Sequence, residues 1–167
     1  MCGYKFYKMK STLKKICFFL PLLIIASCSS DDGADKDEEK PTITINYNEG
    51  FPQACAELVR GETYNFKAMV TDNQALASYS LDIHHNFNQH THDDQVGECV
   101  LDEIKTAVNP LVFIKNYSIE NGPKSYEISI SVTIPDDIDT GDYHCAYSIT
   151  DETGWQTRTS IDIKIVE

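Results

Sequence analysis

Four of the five histidines in this 167-residue chain lie within nine consecutive positions. They are His84, His85, His90 and His92, in the stretch DIHHNFNQHTHDD that covers residues 82–94. Neutral imidazole binds Zn²⁺, Cu²⁺ and Ni²⁺ well, and a protein site needs three or four ligands that converge on one ion. Because residues two apart lie on the same side of an extended chain, His90 and His92 are suited to supply two of those ligands.

Four carboxylates lie within this stretch or just after it, where they can hydrogen-bond to the imidazole rings. We expect Asp82, Asp93, Asp94 and Glu98 to accept hydrogen bonds from imidazole N–H groups, which decides the ring nitrogen that faces a metal. Zinc is favoured over copper as the bound ion, and iron is disfavoured because no carboxylate stands among the ligands. A metallohydrolase with Glu98 or Asp94 as general base is an alternative. Since no nucleophile–base pair stands out, we expect a protein without enzymatic activity.

The elements that must position these side chains are β-strands, because apolar and polar residues alternate along six stretches with little helical periodicity. Turn-rich pieces such as TDNQ, ENGPK and DETG separate them. This pattern predicts an all-β fold, an immunoglobulin-like antiparallel β-sandwich of about seven strands in residues 42–167. The alternating stretches are residues 43–47, 64–70, 79–83, 126–134, 143–149 and 161–165.

The stretch DTGDYHC, residues 139–145, supports this fold because it resembles the D-x-G-x-Y-x-C signature of strand F in immunoglobulin-like domains. In that resemblance Tyr143 is the corner tyrosine, whose hydroxyl bonds to nearby backbone. Strand B, with Phe66, Ala68 and Val70, offers no cysteine. The usual disulfide between the sheets is therefore expected to be missing.

The predicted topology brings the fifth histidine, His144, to the same place as the other four. Strand C, residues 75–84, and strand F are antiparallel neighbours in such sandwiches, so the end of C lies beside the beginning of F. We expect His84 and His144 to be cross-strand neighbours on the outer surface, with His90 and His92 on a loop at the same end. The predicted metal ligands are therefore His84, His90, His92 and His144. His85 is the weakest candidate, a possible substitute, because it falls on the opposite strand phase.

The N-terminus reads as a secretion signal. A lysine-rich start precedes the apolar run ICFFLPLLIIA, which is short for a bilayer span, and IASC, residues 25–28, resembles a bacterial lipobox. We expect a signal peptide over residues 1–27, a lipidated Cys28, and an acidic solvated tether over residues 28–41. The SSDD that follows Cys28 is similar to the export signal of Bacteroidota lipoproteins. It implies an outer-membrane lipoprotein exposed at the cell surface, held to the membrane by its lipid.

Charge excludes one class of partner. The whole chain carries a net charge of −12, and residues 28–167 hold 9 basic against 26 acidic residues, a net charge of −17. We therefore expect no nucleic-acid binding, which requires a basic face.

The cysteines of the domain are Cys55, Cys99 and Cys145. Cys145 falls on the core phase of its strand, which predicts a buried thiol. Cys55 and Cys99 lie in irregular segments and could form a disulfide in an oxidising compartment, although three cysteines allow three pairings.

The lipobox, DIHHNFNQHTH and GDYHCAYSITDETGWQ together resemble a Bacteroidota lipoprotein family known as a domain of unknown function with an immunoglobulin-like fold. The resemblance implies fold and location rather than activity. We expect a surface module that binds zinc or copper, for scavenging or for handover to an outer-membrane transporter. The alternative is a non-catalytic glycan- or protein-binding module, whose contacts would be Asn86, Phe87, Asn88, Gln89 and Trp155.

Overall fold

In the computed structural model, which describes residues 37–167, the chain forms eight β-strands and, within those residues, no helix. The all-β prediction is therefore confirmed, with eight strands rather than about seven. The strands are β1 (Thr42–Thr44), β2 (Ala56–Val59), β3 (Thr63–Thr71), β4 (Leu76–His85), β5 (Phe113–Ser118), β6 (Ser125–Thr133), β7 (Gly141–Asp151) and β8 (Gln156–Val166).

The strands form two sheets. One has three strands in the order β1-β3-β6, and the other has five in the order β2-β8-β7-β4-β5. All neighbours are antiparallel except β2 and β8, which are parallel. Two mainly antiparallel sheets with apolar inner faces make a β-sandwich. The immunoglobulin-like assignment stays a prediction.

Alternation along the strands builds the core between the sheets. Phe66 and Val70 of β3 and Leu81 and Ile83 of β4 are fully buried. β7 differs from the other strands because nearly all of its residues are buried. It is the central strand of the larger sheet, so one of its faces meets the core, and the segment between β4 and β5 covers the other.

That covering segment, residues 86–112, turns back over the outer face of the larger sheet. At its start, the backbone N–H of Asn86 donates to the carbonyl of Asp142 at 2.8 Å. Further along, the N–H of Val96 donates to the carbonyl of Ser160 at 2.7 Å. These backbone hydrogen bonds fix the part of the segment between them over β7 and β8.

The strand register of the larger sheet places three side chains in a row across β4, β7 and β8, beneath the covering segment. His84 on β4 lies directly opposite His144 on β7, and His144 lies directly opposite Asp162 on β8. The predicted pairing of His84 with His144 is confirmed. Because residues opposite one another in a ladder share a face, this row lies on the outer face of the sheet.

The predictions for Tyr143 and the three cysteines of the domain are tested by their contacts in the structure. The Tyr143 hydroxyl donates to the carbonyl of Asp139 at 2.6 Å, the bond expected of a corner tyrosine. Cys55 and Cys99, the pair suggested by the sequence, form a disulfide with 5.6 Å between their Cα atoms. Cys145 is a buried free thiol, and burial raises its pKa well above the ordinary value.

The expected signal peptide over residues 1–27 and the lipidated Cys28 lie outside the described residues. Of the expected tether, residues 28–41, the structure describes residues 37–41. Asp37 is only 5% exposed and Pro41 is buried, so the packed part of the chain includes Asp37. Within residues 37–167 no helix is long and apolar enough to cross a membrane.

Candidate metal centre

Three imidazoles converge above the outer face of the larger sheet. The Nε2 atom of His84 lies 3.3 Å from the Nε2 of His90 and 3.3 Å from the Nε2 of His92. One nitrogen from each ring lies within 4.8 Å of the other two, which is close enough for all three to bind one ion. β4 supplies His84, and the segment after it supplies the other two.

The nitrogen spacing fits a transition metal. In a tetrahedral site with metal–nitrogen bonds of about 2.0–2.1 Å, two ligand nitrogens lie about 3.3–3.4 Å apart. Both Nε2 distances from His84 match this edge length. His84 therefore already has the spacing of a zinc ligand to both His90 and His92.

Hydrogen bonds at the far side of two rings decide which nitrogen is free. Nδ1 of His84 lies 2.9 Å from a carboxylate oxygen of Asp82, and Nδ1 of His90 lies 2.7 Å from the side-chain oxygen of Asn88. Because both partners are acceptors, each Nδ1 carries the proton in the neutral ring. Each Nε2 then presents a lone pair to the other at 3.3 Å. Two lone pairs repel at that distance, and a cation between them removes the repulsion.

His144 lies beneath the three converging rings and is fully buried. Its ring centroid is 4.7 Å from that of His90, 4.5 Å from that of His92 and 5.5 Å from that of His84. Its Nε2–H donates to the backbone carbonyl of His90 at 3.0 Å. In this arrangement His144 positions the backbone that carries His90, and its Nε2 is already in use.

The other nitrogen of His144 faces β8. Nδ1 lies 2.8 Å from a carboxylate oxygen of Asp162, a close polar contact without the alignment of a hydrogen bond. The second oxygen of Asp162 accepts a 2.7 Å hydrogen bond from the side-chain amide of Gln95. Gln95 in turn bonds the backbone of His92 through both its side chain and its N–H. Asp162 thus lies between His144 and Gln95, the residue that holds the part of the segment that carries His92.

The surroundings of His144 and His90 favour their neutral forms. Burial lowers the pKa of His144 to about 4, and burial with repulsion from His84 and His92 lowers that of His90. Burial acts to raise the pKa of Asp82, but the hydrogen bond and charge attraction of His84, together with the charge of Arg158, outweigh it and the pKa is lowered. Neutral imidazole is the form that binds metal. These two rings are therefore in their binding form at pH 7.

The structure separates His85 from the group of three. Its ring packs on Phe87, with 4.8 Å between centroids, because His85 sits one position along β4 and points to the other face. Of the four predicted acceptor carboxylates, only Asp82 bonds an imidazole among the described residues. Asp94 contacts Arg158 at 3.3 Å, and Asp93 and Glu98 are exposed.

The residues of the alternative glycan- or protein-binding site do not form one surface. Asn86 is 1% exposed and Phe87 is 3% exposed, because Phe87 packs edge-on against Tyr143 with 5.3 Å between ring centroids. Trp155 lies in the turn between β7 and β8, at the opposite end of the sandwich from His144. Of the alternative site's residues that lie near the histidines, only Asn88 and Gln89 are exposed.

Sequence reasoning missed three residues that position the histidines, namely Asn88, Gln95 and Asp162. Asp162 carried a signal, since it lies on the polar phase of IDIKI in β8, opposite His144. Asn88 and Gln95 lie in an irregular segment whose path no periodicity describes. Their roles follow only from the fold.

Comparisons with known proteins address the family and the fold. Residues 26–166 match the family model described as "Domain of unknown function (DUF4625)", which agrees with the resemblance to a domain of unknown function drawn from the sequence. No curated protein matches the chain.

Two solved structures share low similarity with this chain. The GspB Siglec domain is 16% identical, with 78% of this chain and 59% of that one covered and a TM-score of 0.41. The sporulation control protein Spo0M from Bacillus subtilis is 8% identical, with 77% and 49% covered and a TM-score of 0.38. The chain thus spans about half to three fifths of their lengths.

Proposed function

The chain belongs to the DUF4625 family, whose function is unknown, and we propose that it is a zinc-binding module with His84, His90 and His92 as the ligands. The observation that carries this proposal is the meeting of three Nε2 atoms, two of them with their protons held on Nδ1 by Asp82 and Asn88. The role of the module is to collect a transition metal or to hand it on.

The choice of metal follows from the ligand type and the spacing. Three imidazole nitrogens suit Zn²⁺, and the two Nε2 separations from His84 equal the edge of a tetrahedral zinc site. Cu²⁺ is the principal competitor: it prefers tetragonal geometry, but it binds nitrogen ligands more tightly than zinc does. Three protein ligands leave one position free. Water or a group from a receiving protein can occupy it, which suits a handover role.

The cellular part of the proposal rests on the sequence alone. A lipid on Cys28 would hold the module at the outer membrane, where an outer-membrane transporter could receive the metal. The supporting pattern is the small-residue run before Cys28. The intact mass of the membrane-extracted protein tests it: a diacylglycerol adduct at Cys28 supports the anchor, and an unmodified Cys28 contradicts it.

Calorimetric titration of the purified full-length chain with Zn²⁺ and Cu²⁺ tests metal binding. We expect one Zn²⁺ per chain with a Kd below ~1 µM, about −8 kcal/mol. Single changes of His84, His90 or His92 to Ala each remove a ligand and are expected to weaken binding by at least a hundredfold. His144→Gln, which loses a positioning bond rather than a ligand, is expected to weaken it by about tenfold with the stoichiometry unchanged.

His85→Gln is the matched control, because it removes a histidine from the same strand but from outside the converging group. It should leave the Zn²⁺ affinity within about twofold. A wild-type Kd weaker than ~10 µM would contradict the proposal. Equal losses in His85→Gln and His92→Ala would also contradict it, since they would indicate diffuse chelation by a histidine-rich surface.

A further inference from the structure

Three aspartates meet at the end of the sandwich opposite the histidines. Asp37 precedes β1, Asp72 follows β3, and Asp151 is the last residue of β7. One carboxylate oxygen from each lies within 4.8 Å of the other two. The sequence separations are large, so only the fold brings these three residues together.

Each aspartate uses one carboxylate oxygen to hold local backbone or side chains. An oxygen of Asp37 accepts from the N–H of Glu39 and from the amide of Asn73. An oxygen of Asp72 accepts from the N–H groups of Gln74 and Ala75 at 2.7 and 2.8 Å. These bonds fix each carboxylate in place.

Asp151 follows the same pattern. One of its oxygens accepts from the Thr153 hydroxyl at 2.9 Å and from the N–H of Trp155 at 2.8 Å. The indole N–H of Trp155 donates to the backbone carbonyl of Asp37 at 3.0 Å, so Trp155 contacts two of the three aspartates. Trp155 is the one tryptophan of the sequence.

The second oxygen of each aspartate is buried and has no hydrogen-bond donor among the described residues. Asp37 is 5% and Asp151 2% exposed. No described lysine, arginine or histidine forms an ion pair with any of the three. Burial of a carboxylate oxygen without a partner is costly, and three together repel one another. A cation among them removes both costs.

We propose that Asp37, Asp72 and Asp151 bind a hard divalent cation, Ca²⁺, which fastens the segment before β1 to the ends of β3 and β7. The ligands are all carboxylate oxygens, which suit Ca²⁺ better than the softer metals that imidazole prefers. Mg²⁺ fits less well, because it retains most of its water and seldom takes three carboxylates from a protein cage. The cation orders the junction between the acidic N-terminal segment and the sandwich.

Trp155 provides the readout. Excitation of tryptophan sensitises bound Tb³⁺, a luminescent substitute for Ca²⁺, when the two are close. With the full-length chain we expect saturable Tb³⁺ luminescence, displaced by Ca²⁺ with a Kd below ~1 mM, the range of extracellular calcium modules. Asp37→Asn, Asp72→Asn and Asp151→Asn should each weaken binding at least tenfold. Asparagine keeps an oxygen for the bonds to Asn73, Ala75 and Thr153, so the turns remain intact.

Asp93→Asn, which removes an exposed carboxylate at the other end of the sandwich, is the matched control and should leave Ca²⁺ binding unchanged. At one Ca²⁺ concentration, the thermal midpoint of the wild type should rise more than that of Asp72→Asn. Absence of Ca²⁺ binding below ~10 mM, or equal affinity in all three Asn variants and the wild type, overturns the proposal. Failure here leaves zinc binding intact, because the two sites share no residue and favour different metals.

Discussion

At the level of single residues, the metal centre depends on the atoms behind each imidazole as much as on the imidazoles. A neutral histidine has two possible tautomers, and only the one with its proton on Nδ1 presents Nε2 to a metal. Asp82 selects this tautomer in His84, and Asn88 selects it in His90. The ionised Asp82 also makes the His84 ring a stronger donor to a metal.

Asp82→Asn tests this contribution. Asparagine can still accept the Nδ1–H bond of His84 but carries no charge, so the ring becomes a weaker ligand. We expect the Zn²⁺ affinity to fall by about 10-fold to 100-fold in calorimetric titration. Asp93→Asn removes, from the same stretch, a carboxylate that bonds no imidazole, so this variant should bind Zn²⁺ with the affinity of the wild type. An unchanged affinity in Asp82→Asn would show that Asp82 serves only its ion pair with Arg158.

The residues differ in how far the sequence could place them. The pairing of His84 with His144 follows from the two-residue period of strands and from the adjacency of strands C and F, so it was predictable. The sequence suggested that His144 faces solvent, whereas it is fully buried. It does face away from the core, but the segment after β4 covers it. Local periodicity carries no information about the path of such a segment.

At the level of elements, the segment between β4 and β5 completes the candidate metal centre, because it brings His90 and His92 to His84 on the outer face of the sheet. Without it, His84 and His144 would be two ligands on an open sheet. Backbone bonds to β7 and β8 hold its first part, and the Cys55–Cys99 disulfide joins it to the chain just before β2. The pairing of β2 with β8 was not predicted, because four residues are too short to show an alternation.

The disulfide should contribute strongly to stability. It closes a loop with a sequence separation of 44, for which chain entropy gives about 4 kcal/mol at 25 °C. We expect the free energy of unfolding of the double variant Cys55→Ser/Cys99→Ser, measured with urea, to be about 2–4 kcal/mol lower than that of the wild type. This range is about half to all of the chain-entropy value.

Reduction is the internal control for this prediction. A reductant should lower the stability of the wild type to the level of the double variant and should not affect the double variant itself. Cys145 stays inaccessible in both proteins, because it is buried and its pKa is raised. A loss below ~1 kcal/mol would mean that the backbone bonds to β8 hold the segment without the covalent link.

At the level of the whole molecule, the two candidate metal centres occupy opposite ends of one sheet. The pairing of Leu76 with Asp151 marks one end of the β4–β7 ladder, and that of His84 with His144 lies near the other. Eight residues of strand separate them, about 27 Å at 3.4 Å per residue. The net charge of −12 favours cations at both ends. A rigid sheet between sites with no shared residue gives no route for strong coupling.

Stability measurements with both ions test this independence. An ion that binds only the folded chain stabilises it by about 2.7 kcal/mol at a hundred times its Kd. Zn²⁺ and Ca²⁺ at that excess should therefore together add about 5.4 kcal/mol to the free energy of unfolding, additive to within about 0.5 kcal/mol. His92→Ala should lower only the zinc contribution, to about 0.4 kcal/mol or less, and Asp151→Asn only the calcium contribution, to about 1.4 kcal/mol or less. If saturating zinc reduced the calcium increment, the two ions would be competing for one site, and the assignment of separate centres to the two ends of the sheet would be wrong.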